Sequence, residues 1–268
     1  MKTRFAVLAS LAISATTQAQ DLHDADFVLS IENDRLVAGV FNPQSGSVVT
    51  PFRVKSSVLG GEGFPNFTND PGFNAQLGQL IPGMPIGFSI LSAPRIWDND
   101  SMDFETIAPD SIIIRAAGQN IDAPSTDTVV EGIVFGQASS SPSASFHHHM
   151  QYLLNGGLPP AIDGLWLLEL ELWTTLSNIE PSEPLYLIFA QGDSEAQLDD
   201  AIAWVEDNLV GTSCLADFNG DGLLNFFDVS LFLSGFTAGD AASDLNNDGV
   251  LNFFDVSLYL SAFGQGCP

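Results

Sequence analysis

The sequence predicts a mainly β domain of sandwich or jelly-roll type that ends in one helix, followed by a small α-helical module built on two calcium loops. Three observations predict it. From Asp26 to about Ala190, short runs of β-branched and aromatic residues are broken by Gly, Pro and Asn, the pattern of an all-β fold. One amphipathic stretch follows, with Leu198, Ile202, Val205 and Leu209 at helical spacing. The tail then repeats itself: the residues from Asp217 match those from Asp244 almost one for one, at a shift of 27.

Residues 1–20 have a basic start (Lys2, Arg4), an apolar stretch from Phe5 to Ile13 and a small-residue end at Thr17-Gln18-Ala19. This reads as a signal peptide. Ser10, Ser14, Thr16, Thr17 and Gln18 interrupt it too early for a membrane span of about 20 apolar residues, and no later segment is apolar enough to span. The expected location is outside the cell, secreted or associated with the cell surface. The expected divisions are the β domain and its helix over 21–210, a linker over 211–213 and the repeat module over 214–268. With 33 acidic residues against 7 basic ones, a net charge of −26, nucleic acid is an unsuitable partner. Solubility and calcium ligation both account for such a balance, and neither names a substrate.

The predicted strands are Phe27 to Ile31, Leu36 to Phe41, Val48 to Val54, Ile112 to Ala116, Val129 to Phe135, Ser145 to Leu154, Leu165 to Thr174 and Leu185 to Phe189. Gly, Pro and Asn crowd the stretch from Gly60 to Pro85, which predicts a long ordered loop. Ser194 followed by Gln197 predicts a capping box at the start of the helix.

Three histidines in a row, His147-His148-His149, are the densest functional candidate of the β domain. In a strand, His147 and His149 share one face, while Phe146, His148, Met150 and Tyr152 take the other and read as core. The strand from Leu165 alternates too, with Trp166, Leu168, Leu170 and Leu172 opposite Glu169 and Glu171. A hairpin across Pro159-Pro160 would gather His147, His149, Glu169 and Glu171 on one side. Two imidazoles and a carboxylate suit zinc, copper, iron or manganese. His23, Asp24 and Asp26 form a weaker group able to swing in from the amino end. A polar solvent face without function is the alternative reading.

Polysaccharide hydrolysis needs two carboxylates, and Glu105, Glu131, Glu169 and Glu171 qualify by type without a motif that singles out an acid and a nucleophile. Trp97, Trp173 or Tyr152 would serve as a sugar-stacking platform, or as core. Gly-x-Ser-x-Gly is absent.

In the repeat, oxygen-bearing side chains fall at loop positions 1, 3, 5, 9 and 12: Asp217, Asn219, Asp221, Asn225 and Asp228, then Asp244, Asn246, Asp248, Asn252 and Asp255. That is the ligand spacing of a twelve-residue calcium loop, with the position-7 carbonyls supplied by Leu223 and Val250. Gly222 and Gly249 stand where the loop reverses. Each loop runs into a helix whose residues Val229, Leu231, Phe232 and Phe236, or Val256, Leu258, Tyr259 and Phe263, are expected to pack together. Two calcium ions are expected, and folding should depend on them because three aspartates per loop repel one another. Cys214 and Cys267 bracket the module, and in an oxidising compartment a disulfide between them is expected.

The module resembles the dockerin family in its duplicated D-x-N-x-D-G-x-x-N-x-x-D loops, each followed by a helix and preceded by none, with Asp at position 12. The cysteine clasp and the closing Gly266-Cys267 are similar to the variant called GC-type. The likeness covers about a fifth of the chain, and its motifs are highly specific. It implies a cohesin-like partner recognised at loop positions 10 and 11, here Phe226, Phe227, Phe253 and Phe254. Near-identity of the copies implies two docking orientations about a half-turn apart. The module departs from many dockerins in having no Lys or Arg, so its partner would differ from the well-known ones. The alternative for these phenylalanines is a core role, with one of each pair facing inward.

The stretch from Gly132 to Gly192, with His-x-His, G-L-W-L-L-E-L-E-L and L-I-F-A-Q-G, is similar to a family of uncharacterised secreted bacterial proteins, some associated with zinc limitation. The combined expectation is a non-enzymatic extracellular protein displayed or anchored by the calcium module. The alternative is a carbohydrate hydrolase or metal-dependent enzyme delivered, to polysaccharide for example, by the same module.

Overall fold

Among the described residues, sixteen short strands form from the β-branched and aromatic runs, with three α-helices after them. In chain order the first eight are β1 (Phe27–Glu32), β2 (Arg35–Asn42), β3 (Ser47–Val49), β4 (Val54–Val58), β5 (Phe67–Thr68), β6 (Phe73–Ala75), β7 (Pro85–Ile90) and β8 (Arg95–Asp98). The rest are β9 (Asp103–Ile107), β10 (Ile112–Ala116), β11 (Gln119–Asp122), β12 (Val130–Gln137), β13 (Phe146–His148), β14 (Gln151–Leu154), β15 (Gly164–Trp173) and β16 (Leu185–Gln191). The helices are α1 (Leu198–Asn208), α2 (Phe226–Ala238) and α3 (Phe253–Gln265). This is a computed structural model, and it describes residues 26–61, 63–141, 145–210, 216–218, 224–245 and 250–265. The expected signal peptide, His23, Asp24, the linker, Cys214, Cys267 and the calcium ligands Asn219, Asp221, Leu223, Asn246 and Asp248 lie outside the described residues.

The protein is mainly β and sandwich-like, with its α-helices at the carboxyl end. One sheet has the order β13-β6-β1-β2-β3, a second β11-β10-β14-β5, and a third β12-β7-β15-β16-β4, with the β8–β9 hairpin attached to β15. All three contribute to one core, which includes Phe27, Phe73, Phe88, Phe146, Tyr152 and Trp166. A second apolar layer lies on the other face of β15 and β16. There Leu165, Leu167 and Ile188 pack with Trp97, Phe104 and the α1 residues Ala201 and Val205. Burial on two faces explains why these two strands read as nearly continuous apolar runs. Asn66 and Gln191, both buried, lock the loop before β5 to the end of β16: the Asn66 amide donates to Gln191 Oε1, and Gln191 Nε2 donates back to Asn66 Oδ1, each at 2.9 Å.

Several expectations are corrected. Ser145 to Leu154 is two strands, because the chain leaves the sheet at His149 and Met150. β13 then pairs with β6, whereas β14 pairs with β10 and β5. The hairpin with the Leu165 strand does not form, since β15 pairs with β16, β7 and β8. The stretch from Gly60 to Pro85 contains β5 and β6. Strand β7, hidden behind Pro85 and Gly87, was not expected. Gly87 is needed there because an added Cβ would lie 2.4 Å from the Trp173 ring. The capping box at Ser194 does not form either. Its hydroxyl donates to Gly164 and Gln191 carbonyls at 2.7 and 2.6 Å, and the chain passes through a 3-10 turn before α1.

Candidate metal centre and docking face

Three strand ends meet at one edge of the first sheet. Phe27 pairs with Phe73 in parallel register, and His148 pairs with Phe73 in antiparallel register. Asp26, just before β1, and His149, just after β13, therefore flank Gly72 across the sheet. His147, two residues back from His149, projects from the same face. Asp26, His147 and His149 form a group that can hold a metal ion, each offering one ligand atom within 4.8 Å of the others.

The geometry is tight. His147 Nε2 lies 3.0 Å from His149 Nε2, and Asp26 Oδ2 lies 3.4 Å from the first and 3.8 Å from the second. Asp26 is fully buried, while the imidazole side chains keep 39% and 29% of their exposure. Gly72 donates its amide to Asp26 Oδ1 at 3.0 Å, but Oδ2 is buried with no hydrogen-bond partner. His149 Nδ1 lies 2.9 Å from the Asn69 carbonyl and 3.4 Å from Asp70 Oδ1. A carbonyl can only accept, so Nδ1 carries the proton and, in the neutral ring, Nε2 presents a lone pair. A lone pair and a buried carboxylate oxygen are thus gathered near one point, a setting that suits a proton donor such as the His147 N–H or a metal ion.

Gly72 makes the meeting possible. A Cβ at this position would lie 2.5 Å from His149 Cε1, 2.6 Å from His149 Nδ1 and 2.7 Å from Asp26 Oδ1. Below the site, Tyr152 donates to the Pro71 carbonyl at 3.3 Å, and its phenol is held well above its ordinary range by burial and then by Asp70 and Asp26. His148 faces away, against Phe146 and Phe135, and burial followed by the charges of its two neighbours lowers its pKa.

Of the four residues expected to share a metal, the structure brings together His147 and His149 only. Glu169 and Glu171 are on β15 in the third sheet; Glu169 accepts from Ser92 Oγ at 2.8 Å, and burial and Glu183 raise the pKa of Glu171. The carboxylate is instead Asp26, from the weaker amino-end group. Gly72 and Asn69 escaped notice because nothing local marks a glycine that separates two ligands across a sheet.

The second candidate is the carboxyl-terminal module, which has its own small core. Phe232 and Tyr259 stack with ring centroids 4.1 Å apart at 1°, and Ala216, Phe218, Phe236 and Phe263 surround them. The two helix starts are built alike. Asn225 Oδ1 accepts from the Phe227 amide and Asp228 Oδ2 from the Asn225 amide; Asn252 and Asp255 repeat this with Phe254 and Asn252. Asp255 Oδ1 also accepts from the Leu245 amide at 3.0 Å, and both aspartates are fully buried. Expected ligand positions 9 and 12 of each loop therefore also cap the helix that follows. Of the other expected ligands that are described, Asp217 and Asp244 precede the caps by eight residues, and the Val250 carbonyl accepts from Asn252 Nδ2 at 2.8 Å.

Phe226, Phe227, Phe253 and Phe254 are 76%, 71%, 76% and 67% exposed. The reading in which one of each pair faces inward is overturned, because Phe232 and Tyr259 fill the interior. Leu231, Leu233, Leu258 and Leu260 are exposed too, at matching places on the two helices. Among the described residues no helix is long and apolar enough to cross a membrane.

No protein-family model matches the chain. No curated protein matches it. Among solved structures, the CooA pilin subunit from enterotoxigenic Escherichia coli is similar over 55% of this chain and 93% of its own, at 10% identity and a TM-score of 0.29. A score that low carries no argument about this chain.

Proposed function

We propose that this is an extracellular protein whose carboxyl-terminal module, organised by two calcium ions, docks a cohesin-like partner and so displays a β-sandwich that carries a transition-metal centre. The observation that carries the reading is the set of four exposed phenylalanines at matching positions of two equivalent helix starts. Apolar side chains in such pairs cost solubility unless a partner covers them. The dockerin-like repeat supports the same face, and the buried Asp228 and Asp255 supply acidic ligands beneath it. With no Lys or Arg in the module, the complementary partner surface is apolar with a basic rim.

Purified full-length protein passed over a panel of immobilised cohesin modules tests this. Retention in calcium and release by chelator is the expected result. Changing Phe226 and Phe227 to Ser should leave binding through the second copy, whereas changing all four phenylalanines should abolish retention with calcium uptake intact. Equal retention in chelator, or by the fourfold variant, refutes the proposal.

A further inference from the structure

Resting on the transition-metal reading just proposed, we infer that Asp26, His147 and His149 bind one zinc-class ion, and that this ion is a clasp joining two distant chain segments, on either side of the turn at 69–72, at the sheet edge. The distances favour a metal over a proton. A point equidistant from three atoms at the observed separations lies about 2.0 Å from each, which matches the roughly 2.0–2.2 Å bonds of zinc to imidazole nitrogen and carboxylate oxygen. A proton on His147 serves His149 Nε2 at 3.0 Å and leaves Asp26 Oδ2 at 3.4 Å without a hydrogen bond. One central ion satisfies both.

The donor chemistry selects the ion. Two imidazoles and one carboxylate suit zinc and its first-row neighbours, whereas calcium and magnesium require oxygen donors in greater number. The Asn69 carbonyl orients the His149 ring and fixes its tautomer, as the outer partners of metal-bound histidines do. Calcium and zinc are thereby divided between the two halves of the molecule.

The clasp role follows from where the donors sit. Asp26 begins β1, Asn69 and Gly72 belong to the turn before β6, and His147 and His149 belong to β13 and its end. The strand pairing here is short: two register pairs join β1 to β6, and three join β6 to β13. A shared ion adds a bond to each of the outer strands. Asp26, buried with one oxygen unpaired, is the donor that loses most when the ion is removed.

The experiment titrates zinc or cobalt(II) into the full-length protein held in saturating calcium. It reads ion stoichiometry, the cobalt absorption spectrum, and hydrogen exchange over residues 26–28, 72–75 and 146–149. One equivalent should bind, with a cobalt spectrum typical of nitrogen and oxygen donors and at least tenfold slower exchange in those three segments. Asp26→Asn should lower affinity at least tenfold. It should leave the metal-free fold intact, because asparagine has the shape of aspartate and its oxygen keeps the Gly72 bond. Binding of the ion without slower exchange overturns the clasp and leaves the site standing; no binding of zinc or cobalt overturns both. Unchanged affinity in Asp26→Asn overturns the assignment of that carboxylate.

Discussion

The two halves of this molecule collect their charged side chains in opposite ways. In the carboxyl-terminal module every donor of a loop lies within twelve residues, and the helix cap and the expected calcium ligands are the same side chains, Asn225 and Asp228 or Asn252 and Asp255. At the edge of the β domain the donors come from residues 26 and 147–149, joined by a turn at 69–72 that contributes no ligand. A site built within one loop can be duplicated with that loop. A site built by sheet register exists only once the strands have paired, so its ion can bind, and tighten the sheet edge, only after the fold has formed.

The largest effect is expected where the local design concentrates two tasks on one residue. Asp255→Ala removes acceptors from the part-buried Asn252 and Leu245 amides and deletes the expected position-12 ligand. Leaving two such amides unpaired costs about 2–4 kcal/mol, and calorimetry in calcium should show one ion bound instead of two, with a melting temperature lowered for this module alone. If uptake stays at two ions, the loop and the cap are separate devices and the contrast with the β domain fails.

Next in size is a change at the non-local site that touches no ligand. Gly72→Ala inserts a methyl group within 2.7 Å of both His149 and Asp26, so one of them must move. The expected outcome is at least tenfold weaker zinc binding, with a stability loss of about 1–3 kcal/mol from overpacking. Metal titration beside a thermal melt checks it. Wild-type affinity would mean that the ligands do not converge across Gly72.

These contrasts explain what could be read in the sequence. The mainly β fold class, the strands Phe27 to Ile31 and Ile112 to Ala116 and the shared face of His147 and His149 were legible because period-two patterning is a local property. On paper Glu169 and Glu171 were the favoured partners for the histidines, and Asp26 belonged to a weaker group. Register decided between them: β13 lies beside β6 and β1, and β15 lies in another sheet. Residues such as Gly72 and Asn69 act through what they leave out or through a main-chain carbonyl, neither of which a residue type announces. Ser194 shows the converse, a strong capping signal overridden because the Gly164 carbonyl, distant in sequence, and the Gln191 carbonyl, three residues back, took its hydroxyl.

The smallest expected effect separates calcium from the packing of the module. Tyr259 is buried, donates to the Ala216 carbonyl at 3.2 Å, and its pKa is pushed from an ordinary 10 up to about 12 by burial and then by Asp228 and Asp217. A phenol raised in this way adds full stability below pH 10. Between pH 10 and about 12 the unfolded chain ionises while the folded one does not, so that contribution, about 2 kcal/mol, is lost as the pH rises. Melting at limiting calcium should therefore fall across this window, and Tyr259→Phe should flatten the fall while lowering neutral-pH stability by about 1 kcal/mol through the lost hydrogen bond. Calcium, by neutralising Asp217 and Asp228, should shrink the slope in the unaltered protein. An identical slope at limiting and at saturating calcium would show that burial alone sets the phenol's proton affinity and that the ions lie too far from the stacked Phe232–Tyr259 pair to act on it.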